Sequence, residues 1–94
     1  MALSRADRIR TALETAFAPA QVVVEDDSAK HAGHAGARPG GETHYSVVVV
    51  SPAFAGQSRV ARSRAVHAVL DVEFQGGLHA LALRLLTPEE AARA

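Results

Sequence analysis

HYSVVVVS, residues 44–51, is the segment on which the fold turns. It is short, rich in β-branched side chains and apolar nearly throughout, which describes a strand covered by helices on at least one side. SPAFAG (51–56) then reads as a turn through Pro52 and Gly56. From about Ser58 to Gln75 the pattern becomes helical, with Val60, Val66, Val69, Leu70 and Phe74 on one face. Gly76 and Gly77 stop that helix. LHALALRLL (78–86) alternates as a strand, His79, Leu81, Leu83 and Leu85 to one side and Leu78, Ala80, Ala82 and Arg84 to the other. Two strands joined through a helix favour a right-handed parallel crossover.

Working outward, QVVVED (21–26) reads as a further strand. Before it, Ser4 caps a first helix, with Asp7 as a weaker form of the capping-box acid. Ile9, Leu13, Ala16 and Phe17 give that helix an apolar face, and Pro19 ends it. At the other end, TPEE (87–90) is a strong helix start: Thr87 caps, Pro88 occupies the first turn and Glu90 reaches back. The expected order is αββαβα, an α+β domain with a three-stranded mixed sheet and helices packed on it. Residues 27–43 form a long connection, of a length that is usually functional or mobile.

Composition narrows the function classes. The chain has 94 residues, enough for one small domain with a modest core. It contains no cysteine, which removes disulfides, thiol nucleophiles and all-thiolate metal sites. Ten basic and ten acidic side chains cancel, an argument against a protein that coats nucleic acid or anionic membrane. MALSRADRIR has no apolar core of signal-peptide length, and no run approaches a membrane span. We therefore expect a soluble, cytoplasmic protein that does not engage membranes.

Chemistry-bearing residues concentrate in and around HAGHAGARPGGETH (31–44). His31 and His34 are three residues apart and His44 follows, a partial metal-ligand pattern that no cysteine or carboxylate completes. Taken alone, His34 reads as a solvated loop residue and His44 as the cap of a strand edge. His79 shares its face with three leucines, which suits a satisfied histidine at the edge of the core. That reading is favoured, and an imidazole at a sheet end over which the loop folds does not exclude it, because a ligand histidine needs its second nitrogen held. On the long helix, Arg62 and Arg64 lie far apart around the axis, so SRVARSR (58–64) makes no single basic stripe. With one tyrosine and no tryptophan there is no platform for stacking bases, and these arginines read as solvated. Asp26, Asp27 and Ser28 sit near histidines, yet no nucleophile elbow or phosphate loop accompanies them, so no enzyme is expected.

DDSAKHAGHAG, GETHYSVVVVSPAFAG, SRVARSRAVHAVL and GLHALALRLLTPEE together resemble the BolA-like protein family across nearly the whole chain. The resemblance implies a single domain over 1–94 with a class II KH-like fold and a flexible histidine-bearing loop at 27–43. The family lacks the Gly-X-X-Gly loop of RNA-binding KH domains, as does this chain between its second strand and long helix. It implies an adaptor that pairs with a monothiol glutaredoxin bearing Cys-Gly-Phe-Ser. The pair shares a 2Fe–2S cluster held by the glutaredoxin cysteine, a glutathione thiolate and histidine from the BolA-like chain. Mixed histidine–thiolate ligation is chemically sound. An isolated, cysteine-free chain is expected to bind no cluster tightly and to be a monomer.

His79 matches the family's C-terminal ligand histidine in HALAL. For the second ligand, His31 matches the family's S-x-x-H position and His44 its E-T-H position, with His34 an extra candidate. The family usually has Arg-His-Arg near the start of the long helix, where this chain has Ser63 in RSR, on a side of the helix beside Val66 and Leu70. Some family members regulate transcription in stress response and cell shape through this region. The alternative expectation is therefore duplex-DNA binding by Arg59, Arg62 and Arg64.

Overall fold

The computed structural model describes residues 4–26 and 44–93. Its elements are α1 (Arg5–Ala16), β1 (Gln21–Asp26), β2 (His44–Val50), one 3-10 turn (Pro52–Phe54), α2 (Arg59–Val69), α3 (Asp71–Gln75), β3 (Ala80–Leu86) and α4 (Pro88–Arg93). The strands lie in the order β1-β2-β3, with β1 antiparallel and β3 parallel to β2. This is the expected α+β arrangement with a three-stranded mixed sheet.

Register explains the core. Across the sheet, Val22 faces Val49 and Leu85, Val24 faces Val47 and Leu83, and Asp26 faces Tyr45 and Leu81. The central members Tyr45, Val47 and Val49 are buried, while Val22, Val24, Leu81, Leu83 and Leu85 pack around them half-buried. Ile9 and Leu13 of α1, Phe54, Val66 of α2, Leu70 just beyond it, and Leu78 complete the cluster. The alternate residues form a face that the helices leave open, where Val23 is 64% exposed opposite Val48 and Arg84. Ser51, fully buried, ties the elements together: its Oγ donates to the Phe17 carbonyl at 2.7 Å and accepts from the Ala53 N–H at 3.1 Å.

Both capping assignments hold. The Ser4 Oγ accepts from the Asp7 N–H at 3.1 Å. At α4, the Thr87 N–H donates to Glu90 Oε1 at 2.8 Å and the Glu90 N–H to Thr87 Oγ1 at 3.2 Å, a reciprocal capping box. α1 ends at Ala16, three residues before Pro19, and Ala16 is exposed while Phe17 tilts onto Phe54 with ring centroids 5.0 Å apart.

The expected helix over 58–75 is two helices meeting at Leu70. Its face also differs. Val60 is 59% exposed, and the position one turn before Val66 belongs to Arg62, which is 7% exposed. Beyond the break, Glu73 is buried and turned toward α1. Its Oε1 accepts from Arg5 Nε at 3.1 Å and Arg8 Nη2 at 3.0 Å, and its Oε2 from Arg8 Nε at 2.9 Å. These donors, Arg8 first, hold the Glu73 carboxyl below its ordinary range. Leu78 also departs from its expected face. It is 4% exposed, and its N–H donates to the Glu73 carbonyl, closing α3 before β3 begins. Gly77 at φ +117° makes that reversal, a conformation other residues rarely adopt.

Phe54→Ala is expected to cost about 3–5 kcal/mol through loss of buried area and the cavity left behind. Val60→Ala should stay within about 0.5 kcal/mol. Urea denaturation followed by far-ultraviolet circular dichroism measures both, and similar losses at the two positions would contradict this packing.

Candidate functional site

Parallel register places His44, the first residue of β2, opposite Ala80, the first residue of β3. His79 immediately precedes Ala80, so two imidazoles from distant parts of the chain meet at one end of the sheet. Their ring centroids are 5.3 Å apart and the planes are inclined by 49°. His44 is 9% exposed, whereas His79 is open to solvent. The structure thus unites two of the four candidate histidines; His31 and His34 lie outside the described residues. His79 is not tucked against the leucines of β3, because it sits ahead of the strand rather than within its alternation.

Neutral imidazole binds metal through nitrogen at about 2.0–2.1 Å. A centroid separation of 5.3 Å is within the range over which two imidazoles can reach one metal ion. They do not form a complete site: among the described residues no group of three or more His, Cys, Asp or Glu side chains converges. As a metal site the pair alone would be incomplete and would need further ligands from outside the described residues.

The arginines separate into two kinds. Arg59 and Arg64 are exposed, as expected. Arg62 is not the solvated side chain its sequence position suggests. Its Nε donates to the Gln57 carbonyl at 3.0 Å, and Nη1 donates to the Leu85 carbonyl at 3.0 Å and to Glu90 Oε1 at 2.6 Å. Its guanidinium also lies 5.8 Å from the Phe54 ring centre. Arg62 thereby joins α2 to β3 and α4, and its fork is committed. The Arg62 hydrogen bond, then the Thr87 N–H, pull the Glu90 carboxyl down to about 2.

Ser63, half-buried, opens onto a groove of about 440 Å³ between α2 and β3, together with Arg59, Leu83 and Arg84. No local sequence pattern signals this groove. Its walls come from residues more than twenty positions apart, and Arg84 was visible only as the polar member of an alternating strand. Asp26 ends β1 in register with Tyr45, and Asp27 and Ser28 lie outside the described residues.

Comparison with known proteins finds relatives over nearly the whole chain. A family model described as BolA-like protein matches residues 13–90. The chain is 45% identical over 91 residues to SufE-like protein 1, chloroplastic/mitochondrial, of Arabidopsis thaliana, covering 93% of this chain and 24% of that protein. It is 43% identical over 90 residues to Protein BOLA1, chloroplastic, of the same plant, covering 94% of this chain and 56% of that protein. The chain therefore spans about a quarter and about half of these two relatives. Among solved structures, the BolA domain of SufE1 from Arabidopsis thaliana superposes with a TM-score of 0.82 at 43% identity, covering 96% of this chain and 99% of that one.

Because the Glu90 pKa falls from 4.5 to about 2 in the folded state, the Arg62–Glu90 pair stabilises fully above about pH 4.5 and loses its effect as pH falls toward 2. Glu90→Gln should therefore be less stable than the parent at neutral pH, with the difference shrinking across that acid window. Thermal unfolding at a series of pH values tests this; a difference that grows on acidification would contradict the pairing.

Proposed function

The chain belongs to the BolA-like protein family, and from that premise we propose that it is a non-enzymatic adaptor for a monothiol glutaredoxin. It docks on the Cys-Gly-Phe-Ser protein and supplies histidine to a shared 2Fe–2S cluster, in iron–sulfur trafficking or in iron and redox sensing. The observation that carries this reading is the His44–His79 pair, 5.3 Å between ring centres at an open sheet end.

The donor set fits the group. A histidine pair can occupy one iron of a 2Fe–2S centre while thiolates hold the other. This chain has no thiolate to offer, so the sulfur ligands come from the glutaredoxin cysteine and glutathione. The cluster supplies electron-transfer or transfer-competent iron when bound. The chain's own part is to hold two nitrogens at fixed spacing: His44 is anchored by burial and by its strand, and His79 stands exposed toward a partner. His44 is our preferred second ligand, with His31 and His34 as its competitors. We propose the cytoplasm as the place of this exchange.

The alternative, a DNA-binding regulator of stress response and cell morphology using Arg59, Arg62 and Arg64, has less support. One of those guanidiniums is already engaged by Glu90 and two carbonyls, and the net charge is zero.

Titrating cluster-loaded glutaredoxin with the intact chain should change its visible absorption and circular dichroism, saturating at one to one. His79→Ala, an exposed substitution, should still bind but leave the spectrum close to that of glutaredoxin alone. An unchanged spectrum with the intact chain would remove the ligand role.

A further inference from the structure

Among the described residues β3 is an edge strand, paired with β2 on one side and with no strand on the other. The Ser51 N–H donates to the Leu86 carbonyl on the β2 side at 2.9 Å. Alternation then turns the main-chain groups of Leu85, Leu83 and Leu81 to the outer edge. Arg62 Nη1 already occupies the Leu85 carbonyl. The outward N–H and C=O groups of Leu81 and Leu83 have no hydrogen-bond partner among the described residues. This edge borders the groove of about 440 Å³ described above, and the Arg62–Glu90 pair closes one end of it.

The groove carries uncompensated positive charge. Arg59 and Arg84 both line it, both are exposed, and neither makes an ion pair among the described residues. Glu90, the one carboxylate in the lining, is taken by Arg62. The occupant is therefore anionic. Its main chain is a polypeptide's, because donors and acceptors alternating at strand spacing match an extended peptide and not a run of phosphates. Among the described residues no aromatic side chain lines the groove to stack bases.

We propose that this groove captures an extended acidic segment of a partner protein as an added strand on β3, paired along Leu81–Leu83. The two arginines set its pattern. Arg59 comes from α2 on the core side of the sheet, and Arg84 lies on the open side with Val23 and Val48. Successive residues of an added strand point to opposite sides, so acids at adjacent positions meet both guanidiniums. Pairing stops at Leu85, where Arg62 holds the carbonyl, and the contact is correspondingly short. This surface is independent of the histidine reading, and its test uses neither glutaredoxin nor cluster.

The probe is a fluorescent eight-residue peptide with an adjacent glutamate–aspartate pair flanked by valine and threonine, titrated into the full chain and followed by anisotropy. Binding should weaken about two- to fivefold for Arg59→Ala and for Arg84→Ala, as expected for exposed ion pairs, and further for both together. It should weaken about tenfold when alternate peptide nitrogens are methylated, which removes edge hydrogen bonds. Amide resonances of Leu81 and Leu83 should shift on titration. Absence of binding, indifference to either arginine, or indifference to N-methylation would overturn the proposal. So would tighter, arginine-dependent binding of a single-stranded oligonucleotide, which would assign the groove to nucleic acid.

Discussion

Parallel pairing of β2 with β3, in the register that sets His44 against Ala80, is the constraint on which the rest of the molecule depends. It buries Tyr45, Val47 and Val49 at the centre of the sheet and stacks Leu81, Leu83 and Leu85 beside them. A slip of one residue would turn these side chains to the open face. The same register brings together histidines that are thirty-five positions apart. Parallel strands cannot be joined by a tight turn, so the crossover from Ser51 to His79 has to be held in place by contacts of its own. Phe54 and Leu70 do this with apolar area, and two charged clamps do it with geometry. Glu73 fastens α3 to Arg5 and Arg8 of α1, and Arg62 fastens α2 to the Leu85 carbonyl and to Glu90 of α4. In a domain with so small a core, polar fastenings at both ends of the crossover help to specify one arrangement.

Much of this was legible because the signals were local. The valine run, the alternation of 80–86, the caps at Ser4 and Thr87 and the stop at Gly76–Gly77 each depend on neighbours within a few residues. The errors fall where a distant partner decides. Uniform helical phase assigned Val60 to the core, but the Leu85 carbonyl and Glu90 reward an arginine at position 62, and Arg62 takes the buried place. The break at Leu70 turns Glu73 toward two arginines some sixty-five positions earlier, a pairing that no window of sequence displays. His79 was identified by its resemblance to a family position. Its contact with His44 follows only from the strand register, which the pattern of apolar residues restricts without naming the partner residue.

β3 emerges as an element with two distinct offerings. Its entrance carries the His44–His79 imidazole pair, the proposed ligand pair. Its outer edge carries main-chain groups that have no partner among the described residues, between two exposed guanidiniums. Both features are unfinished in the same sense: each presents part of an interaction whose remainder belongs to another molecule. That is the physical character the proposed adaptor role requires.

The most direct test of the central claim is electron–nuclear double resonance on the reduced cluster shared with glutaredoxin, using this chain labelled with ¹⁵N-histidine and the glutaredoxin unlabelled. Strong ¹⁵N couplings from two imidazole nitrogens are expected, with one lost in His79→Ala and the other in His44→Ala. A complex that forms and carries its cluster, yet shows no strong ¹⁵N coupling, would contradict the assignment of this histidine pair as ligands.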